Sequence, residues 1–176
     1  MNEDASLERL NSLPSAEAAA EFLKCCGSKN WARQMVSARP FSDVDQVSET
    51  ATRIWWSLDE LDWLEAFHSH PKIGEKKAAA TTSVEAQKWS AEEQAGVEVS
   101  GAGVLNSLAE LNRAYEEKFG FIFIVCATGK SSAEMLALLR ERIENPPDAE
   151  LQNAAAEQAR ITELRLRKLT SHAGST

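Results

Sequence analysis

Apolar residues recur at intervals of three and four along most of this chain, the period of helices that pack by one face. Leu7, Leu10 and Leu13 outline a short helix that Pro14 ends. Ser15 then caps an alanine-rich helix from Ala16 to Cys26, closed by Gly27. A third short helix spans Asn30 to Ala38 and stops before Pro40. After Ser42 and Asp43, the positions Val44, Val47, Ala51, Ile54 and Trp55 form an amphipathic stripe to about Leu58. Asp59 or Glu60 restarts the helix toward His68. Helical spacing also explains Trp55, Trp56 and Trp63 as core residues rather than an aromatic binding stripe.

No period persists from Lys76 to Ser83, which reads as a loop. Ser90-x-x-Glu93 carries the capping-box signature, in which serine and glutamate satisfy backbone amides at a helix start. Two glycines between Val99 and Gly103 mark a break, and Leu105, Leu108, Leu111, Tyr115 and Phe119 then outline a helix ended by Gly120. Phe121 to Ala127 has strand propensity. A lone strand has no partner for its backbone groups, so the segment reads as a buried extended link whose unpaired amides are candidates to bind a ligand. A second box, Ser131-x-x-Glu134, opens a helix that runs to Asn145 and is stopped by Pro146-Pro147. The last helix starts near Asp148 and passes through Leu151, Ala155, Ile161, Leu164 and Leu166 to about Thr170. With no repeat or linker, the expectation is an all-α, single compact domain of about eight helices with one extended buried link and no substantial β-sheet. It covers residues 1–176, with its core at about 7–169.

Composition bounds the function more than the fold. A chain of 176 residues, 43% hydrophobic, buries a real core. Its net charge of −8, with no basic patch, excludes nucleic acid and anionic membranes as expected partners. The longest apolar run, Phe121 to Ala127, is too short to span a bilayer, and the acidic start Met1-Asn2-Glu3-Asp4 is unlike a signal peptide. Three cysteines, two of them adjacent at Cys25-Cys26, have no disulfide-framework spacing and point to a reducing compartment. The ending Ala173-Gly174-Ser175-Thr176 is not a Ser-Lys-Leu address, so the expected location is the cytoplasm.

Candidate chemistry concentrates in Glu65-Ala66-Phe67-His68-Ser69-His70-Pro71-Lys72-Ile73-Gly74, which holds two of the three histidines. The ring of Pro71 pushes His70 out of helical geometry, to a helix exit where a side chain can face a cleft. Histidine exchanges protons in both directions near neutral pH, which makes His70 the first catalytic candidate. The plainer alternative is a histidine that complements the negative end of its helix. A metal pair of His68 and His70 is the third reading, but residues two apart on a helix face different sides. No HExxH, EF-hand or Cys-Cys/His-His zinc spacing occurs. Glu93 is either the capping partner of Ser90 or a working carboxylate. Arg165, on the last helix with Arg160 and Arg167, is either solvated in the usual way or functional.

Four blocks then come together. His70-Pro71-Lys72-Ile73-Gly74, Trp89-Ser90-Ala91-Glu92-Glu93-Gln94, the run from Leu111 to Ala127, and Ile161-Thr162-Glu163-Leu164-Arg165-Leu166 resemble, in order, the 2-oxo-4-hydroxy-4-carboxy-5-ureidoimidazoline (OHCU) decarboxylase family of uric acid breakdown. The resemblance implies an all-helical fold, a homodimer, and cofactor-independent conversion of OHCU to (S)-allantoin and carbon dioxide. It puts the family's catalytic histidine, active-site glutamate and substrate-binding arginine on His70, Glu93 and Arg165. It puts substrate contacts on Pro71, Ser90, Ala91, Glu92, Gln94, Phe123, Ile124, Val125, Cys126 and Ala127, the last five partly through backbone groups. The chemistry agrees, because the substrate's conjugated ring can take the electron pair left by carbon dioxide, so neither a metal nor an organic cofactor is required. Two rival readings stand beside it: a catalytically silent helical adaptor, and a small metal-dependent hydrolase using His68 and His70.

Overall fold

Punctuation by Pro, Gly, Ser and Asp divides the chain into nine α-helices among the described residues, which in this computed structural model are 3–74, 83–97 and 101–171. No strand occurs among them, so the fold is all-α. The helices build two compact units. One consists of the chain up to Ala66 together with the part from Ala159 onward, and the other of Phe67–Gln158.

The first unit holds α1 (Glu3–Ser12), α2 (Ser15–Cys25), α3 (Lys29–Ser37), α4 (Val44–Ser57), most of α5 (Glu60–His68) and the second half of α9 (Pro147–Ser171). Ser15 is the first helical residue of α2 rather than its cap. The cap position is Pro14, with no side-chain hydrogen bond. Gly27 does not close α2 either: Cys26 is already extended, and the chain leads straight into Ser28, so no left-handed residue is needed. The Ser28 hydroxyl caps α3 by accepting from the Trp31 amide at 3.2 Å, and the Asp43 carboxylate caps α4 by accepting from Gln46 at 2.7 Å. Trp31 is buried edge-on against Phe22, and its indole N–H donates to the Ala51 carbonyl at 3.1 Å. Trp55 and Trp63 are core residues as expected, but Trp56 is 44% exposed. One residue along a helix is a rotation of about 100°, which carries Trp56 off the face that buries Trp55.

The second unit contains α6 (Val84–Glu93), a 3₁₀ turn (Ala95–Val97), α7 (Ala102–Phe119), α8 (Ser132–Arg142) and the first half of α9. The loop expected from Lys76 to Ser83 lies outside the described residues except for Ser83. Of the break expected from Val99 to Gly103, Val99 and Ser100 lie outside them too, Gly101 is the cap position of α7, and Ala102 and Gly103 already belong to that helix. Ser83 caps α6, its hydroxyl accepting from the Ala86 amide at 3.2 Å. Ser90 and Glu93 therefore occupy the last turn of that helix, and the capping box expected there does not exist. The second box does, with the Ser131 hydroxyl and Glu134 carboxylate reciprocally bonded. α7 ends as expected at Gly120, whose φ of +78° is left-handed, with its amide bonded to the Glu116 carbonyl at 2.8 Å. α8 stops at Arg142, short of Asn145, and Pro147 opens α9 at a first-turn position where a missing N–H costs nothing. Phe121 to Ala127 is neither helix nor strand and, apart from half-buried Ile122, is buried. Phe121 and Phe123 pack around Tyr115.

Candidate functional site

The turn after α5 is fixed from several sides within the second unit. The His70 amide bonds the Phe67 carbonyl, ending the helix just before the His70-Pro71 step. The Gly74 amide donates to Gln94 Oε1 at 3.1 Å, and the Ile73 carbonyl accepts from Asn112 Nδ2 at 3.0 Å. Lys72 pairs with Glu116 at 2.6 Å. Gly74, at φ +84°, takes the left-handed conformation that glycine adopts without a steric penalty. His70 Nε2 lies 2.6 Å from Gln158 Oε1 of α9. The half-buried imidazole is thus joined by a specific hydrogen bond to a fully buried amide. His68, by contrast, is the last residue of α5 and exposed. Among the described residues, no group of three or more His, Cys, Asp and Glu side chains is placed to hold a metal ion.

Glu93 changes meaning once α6 is seen to begin at Ser83. Its carboxylate stands at the negative end of the helix dipole, where it weakens the helix rather than capping it. It follows Ala86, Trp89 and Ser90 on the inward stripe of α6 and is half-buried. Ser90 and Pro71 are buried, Gln94 is half-buried, and Ala91 and Glu92 are exposed. The Cys126 thiol is pushed up chiefly by burial, and the charge of Glu93 is among those that raise it further.

The Phe121 to Ala127 segment is held by side chains where it lacks a strand partner. Arg142 donates to the Ile124 carbonyl at 2.6 Å, Glu157 accepts from the Cys126 amide at 2.8 Å, and Lys130 donates to the Cys126 carbonyl at 2.7 Å. The expected unpaired amides therefore do not include that of Cys126. Arg142 is anchored in turn by fully buried Glu150, which also accepts from Tyr115 at 2.5 Å and from Asn145 at 3.0 Å. Burial, reinforced by the Glu150 carboxylate, holds the Tyr115 phenol far above its ordinary value.

Arg165 belongs to the first unit and is 3% exposed, so the solvated reading does not hold for it. Its guanidinium donates to the Lys24 carbonyl at 3.2 Å. Burial pushes the neighbouring Cys26 thiol up to about 12, and the positive charge of Arg165 works against that shift. Two residues on, Arg167 is exposed and pairs with Glu163 at 2.8 Å. Gln158 and Glu150 were not singled out from the sequence, yet a signal existed. Glu150, Ala154, Gln158, Ile161 and Arg165 fall at the three- and four-residue steps of the buried stripe of α9, and a polar residue on such a stripe is what calls for an explanation.

The family model described as OHCU decarboxylase matches residues 11–167. The chain is 44% identical over 152 residues to the uric acid degradation bifunctional protein TTL of Arabidopsis thaliana, covering 86% of this chain but 47% of that one. It thus spans about half the length of that relative. It is 31% identical over 135 residues to the 2-oxo-4-hydroxy-4-carboxy-5-ureidoimidazoline decarboxylase of Amia calva, covering 76% of this chain and 75% of that one. A crystal structure of an OHCU decarboxylase in the presence of (S)-allantoin superposes with a TM-score of 0.74 at 42% identity, covering 86% of this chain and 98% of that one. Matched along nearly its whole length in sequence and in helical fold, the chain belongs to the OHCU decarboxylase family.

Proposed function

We propose that this protein decarboxylates OHCU to (S)-allantoin and carbon dioxide, with His70, Glu93 and Arg165 as its catalytic residues. The observation that carries the reading is the 42% identity, over 98% of its length, to an OHCU decarboxylase crystallised in the presence of (S)-allantoin. The failure of the plainer explanations supports the residue assignment. Glu93 is no cap, Arg165 is buried, and His70 is engaged by a side chain instead of merely ending a helix.

The roles follow from side-chain chemistry. Loss of carbon dioxide leaves an electron pair that the substrate's own ring delocalises, so the protein has to orient the substrate and move a proton. His70 delivers or relays that proton. Glu93 accepts hydrogen bonds from ureido or ring N–H groups and favours the protonated imidazole through its charge. Arg165 grips a carboxylate or carbonyl with its planar fork and supplies positive potential in an acidic protein. Pro71, Ser90, Ala91, Glu92, Gln94 and Phe123 to Ala127 complete the substrate contacts. The same reading makes the protein a cofactor-independent carboxy-lyase that acts as a cytoplasmic homodimer, the whole chain forming one functional domain. No helix among the described residues is long and apolar enough to cross a membrane.

The test follows freshly generated OHCU with and without the protein, by absorbance and by circular dichroism of the product, before and after dialysis against a chelator. Accelerated, chelator-insensitive formation of (S)-allantoin is expected. A racemic product while spontaneous decay is negligible would overturn the assignment, and activity restored only by an added metal would overturn its cofactor independence.

A further inference from the structure

Fully buried Gln158 is hydrogen-bonded to the ring of His70, and nothing in the decarboxylation chemistry above uses it. We infer that Gln158 is a positioning residue: its amide oxygen holds the His70 ring in one plane and one tautomer, with the proton on Nε2. This rests on His70 being the proton-transfer group. The contact is short, 2.6 Å from Nε2 to Oε1, and an amide oxygen is an acceptor, so Nε2 carries hydrogen. In the neutral ring the basic lone pair is then on Nδ1.

The residue type matters as much as the distance. A carboxylate at this position would favour the charged imidazolium, whereas a neutral amide fixes the tautomer while adding no charge. Gln158 is itself well placed to be rigid. It lies on the buried stripe of α9 beside Glu157, whose carboxylate holds the Cys126 amide, so consecutive residues of one helix fix both the histidine and the Phe121 to Ala127 segment. Rotating an unheld ring about its side-chain bonds exchanges the two nitrogens, and the lone pair with them.

The test has a readout independent of catalysis. In the ¹⁵N-labelled full chain, long-range ¹H–¹⁵N correlation reads the protonation of each ring nitrogen of His70, which the His68→Gln and His172→Gln variants assign by elimination. The Nε2–H form is expected in the unmutated protein, with loss of that predominance in Gln158→Leu. The same variant should lower kcat about 10-fold, the scale of one lost hydrogen bond, with KM little changed. Gln158→Glu should instead shift the His70-linked limb of the pH–rate profile upward, because the new carboxylate favours imidazolium. An Nδ1–H form in the unmutated protein overturns the proposal whether or not any variant folds, and so does a tautomer unchanged in Gln158→Leu. If the unmutated protein shows the Nε2–H form but no decarboxylation of OHCU, the assigned activity fails while the ring assignment stands.

Discussion

Replacing Glu150 by alanine should be among the most damaging single changes in the second unit. Its carboxylate is fully buried and receives Arg142 Nε at 2.5 Å, Tyr115 Oη at 2.5 Å, Asn145 at 3.0 Å and Asn153 at 3.2 Å. Deletion leaves the buried Arg142 guanidinium with its Ile124 carbonyl but without its counter-charge, and breaking a buried pair from one side costs about 3–5 kcal/mol. At about 2–4 °C per kcal/mol for a chain of this size, the melting temperature should fall by roughly 6–20 °C. Urea and thermal denaturation measure this directly. Combining Arg142→Met, Glu150→Leu and Tyr115→Phe removes both charges and the hydroxyl together, and should cost less than Glu150→Ala alone. A Glu150→Ala loss under about 1 kcal/mol, or a triple variant weaker than the single one, would refute the view of this network as a mutually dependent set. The pH dependence has a fixed sign. Burial alone would raise the Glu150 carboxyl, but hydrogen bonds from Asn145, Tyr115 and Arg142 outweigh it and hold it below the usual range. Its contribution is therefore complete above the unfolded value of about 4.3 and is lost as pH falls through the folded one. Glu150→Gln should make stability less sensitive to acid.

Three further outcomes concern the proposed catalytic residues. His70→Ala should lower the decarboxylation rate by at least roughly 10²-fold, the low end for a proton-transfer group, while exposed His68 tolerates alanine; equal losses in steady-state kinetics would point to a paired role. Glu93→Gln should leave the melting temperature unchanged or slightly raised, since a carboxylate is removed from a helix C-terminus, while activity falls; a variant that kept full activity and lost stability would mark Glu93 as structural. Arg165→Lys keeps the charge but loses the bidentate fork, and should lower rate or affinity and erode the optical purity of allantoin, read by circular dichroism. Arg167→Lys, exposed and paired with Glu163, should do neither, and similar effects from both would remove the special role of Arg165.

What the sequence determined by itself is what depends on neighbours in the chain. Helical periodicity, the Ser131/Glu134 box, the left-handed stop at Gly120 and the helix exit at His70-Pro71 are all local, and each was legible from residues a few positions apart. The motif blocks were legible too, because they are runs of sequence. Local rules failed where two local signals compete or where burial decides. Ser83 and Ser90 both qualify as helix caps, and the choice of Ser83 converts Glu93 from the opening turn of α6 to its last. Trp55 and Trp56 are equally apolar, yet only one faces the interior. Arg165 and Arg167 are chemically identical, and only the packing around the far half of α9 buries the first and leaves the second in water. Least legible were partners far apart in sequence. Gln158 meets His70 across 88 residues, and Arg142 reaches the Ile124 carbonyl through a network anchored by Glu150. Such hydrogen bonds carry no spacing rule. The sequence announces them only as polar residues on a helix face that the apolar period assigns to the core, and tertiary packing alone decides what each one meets.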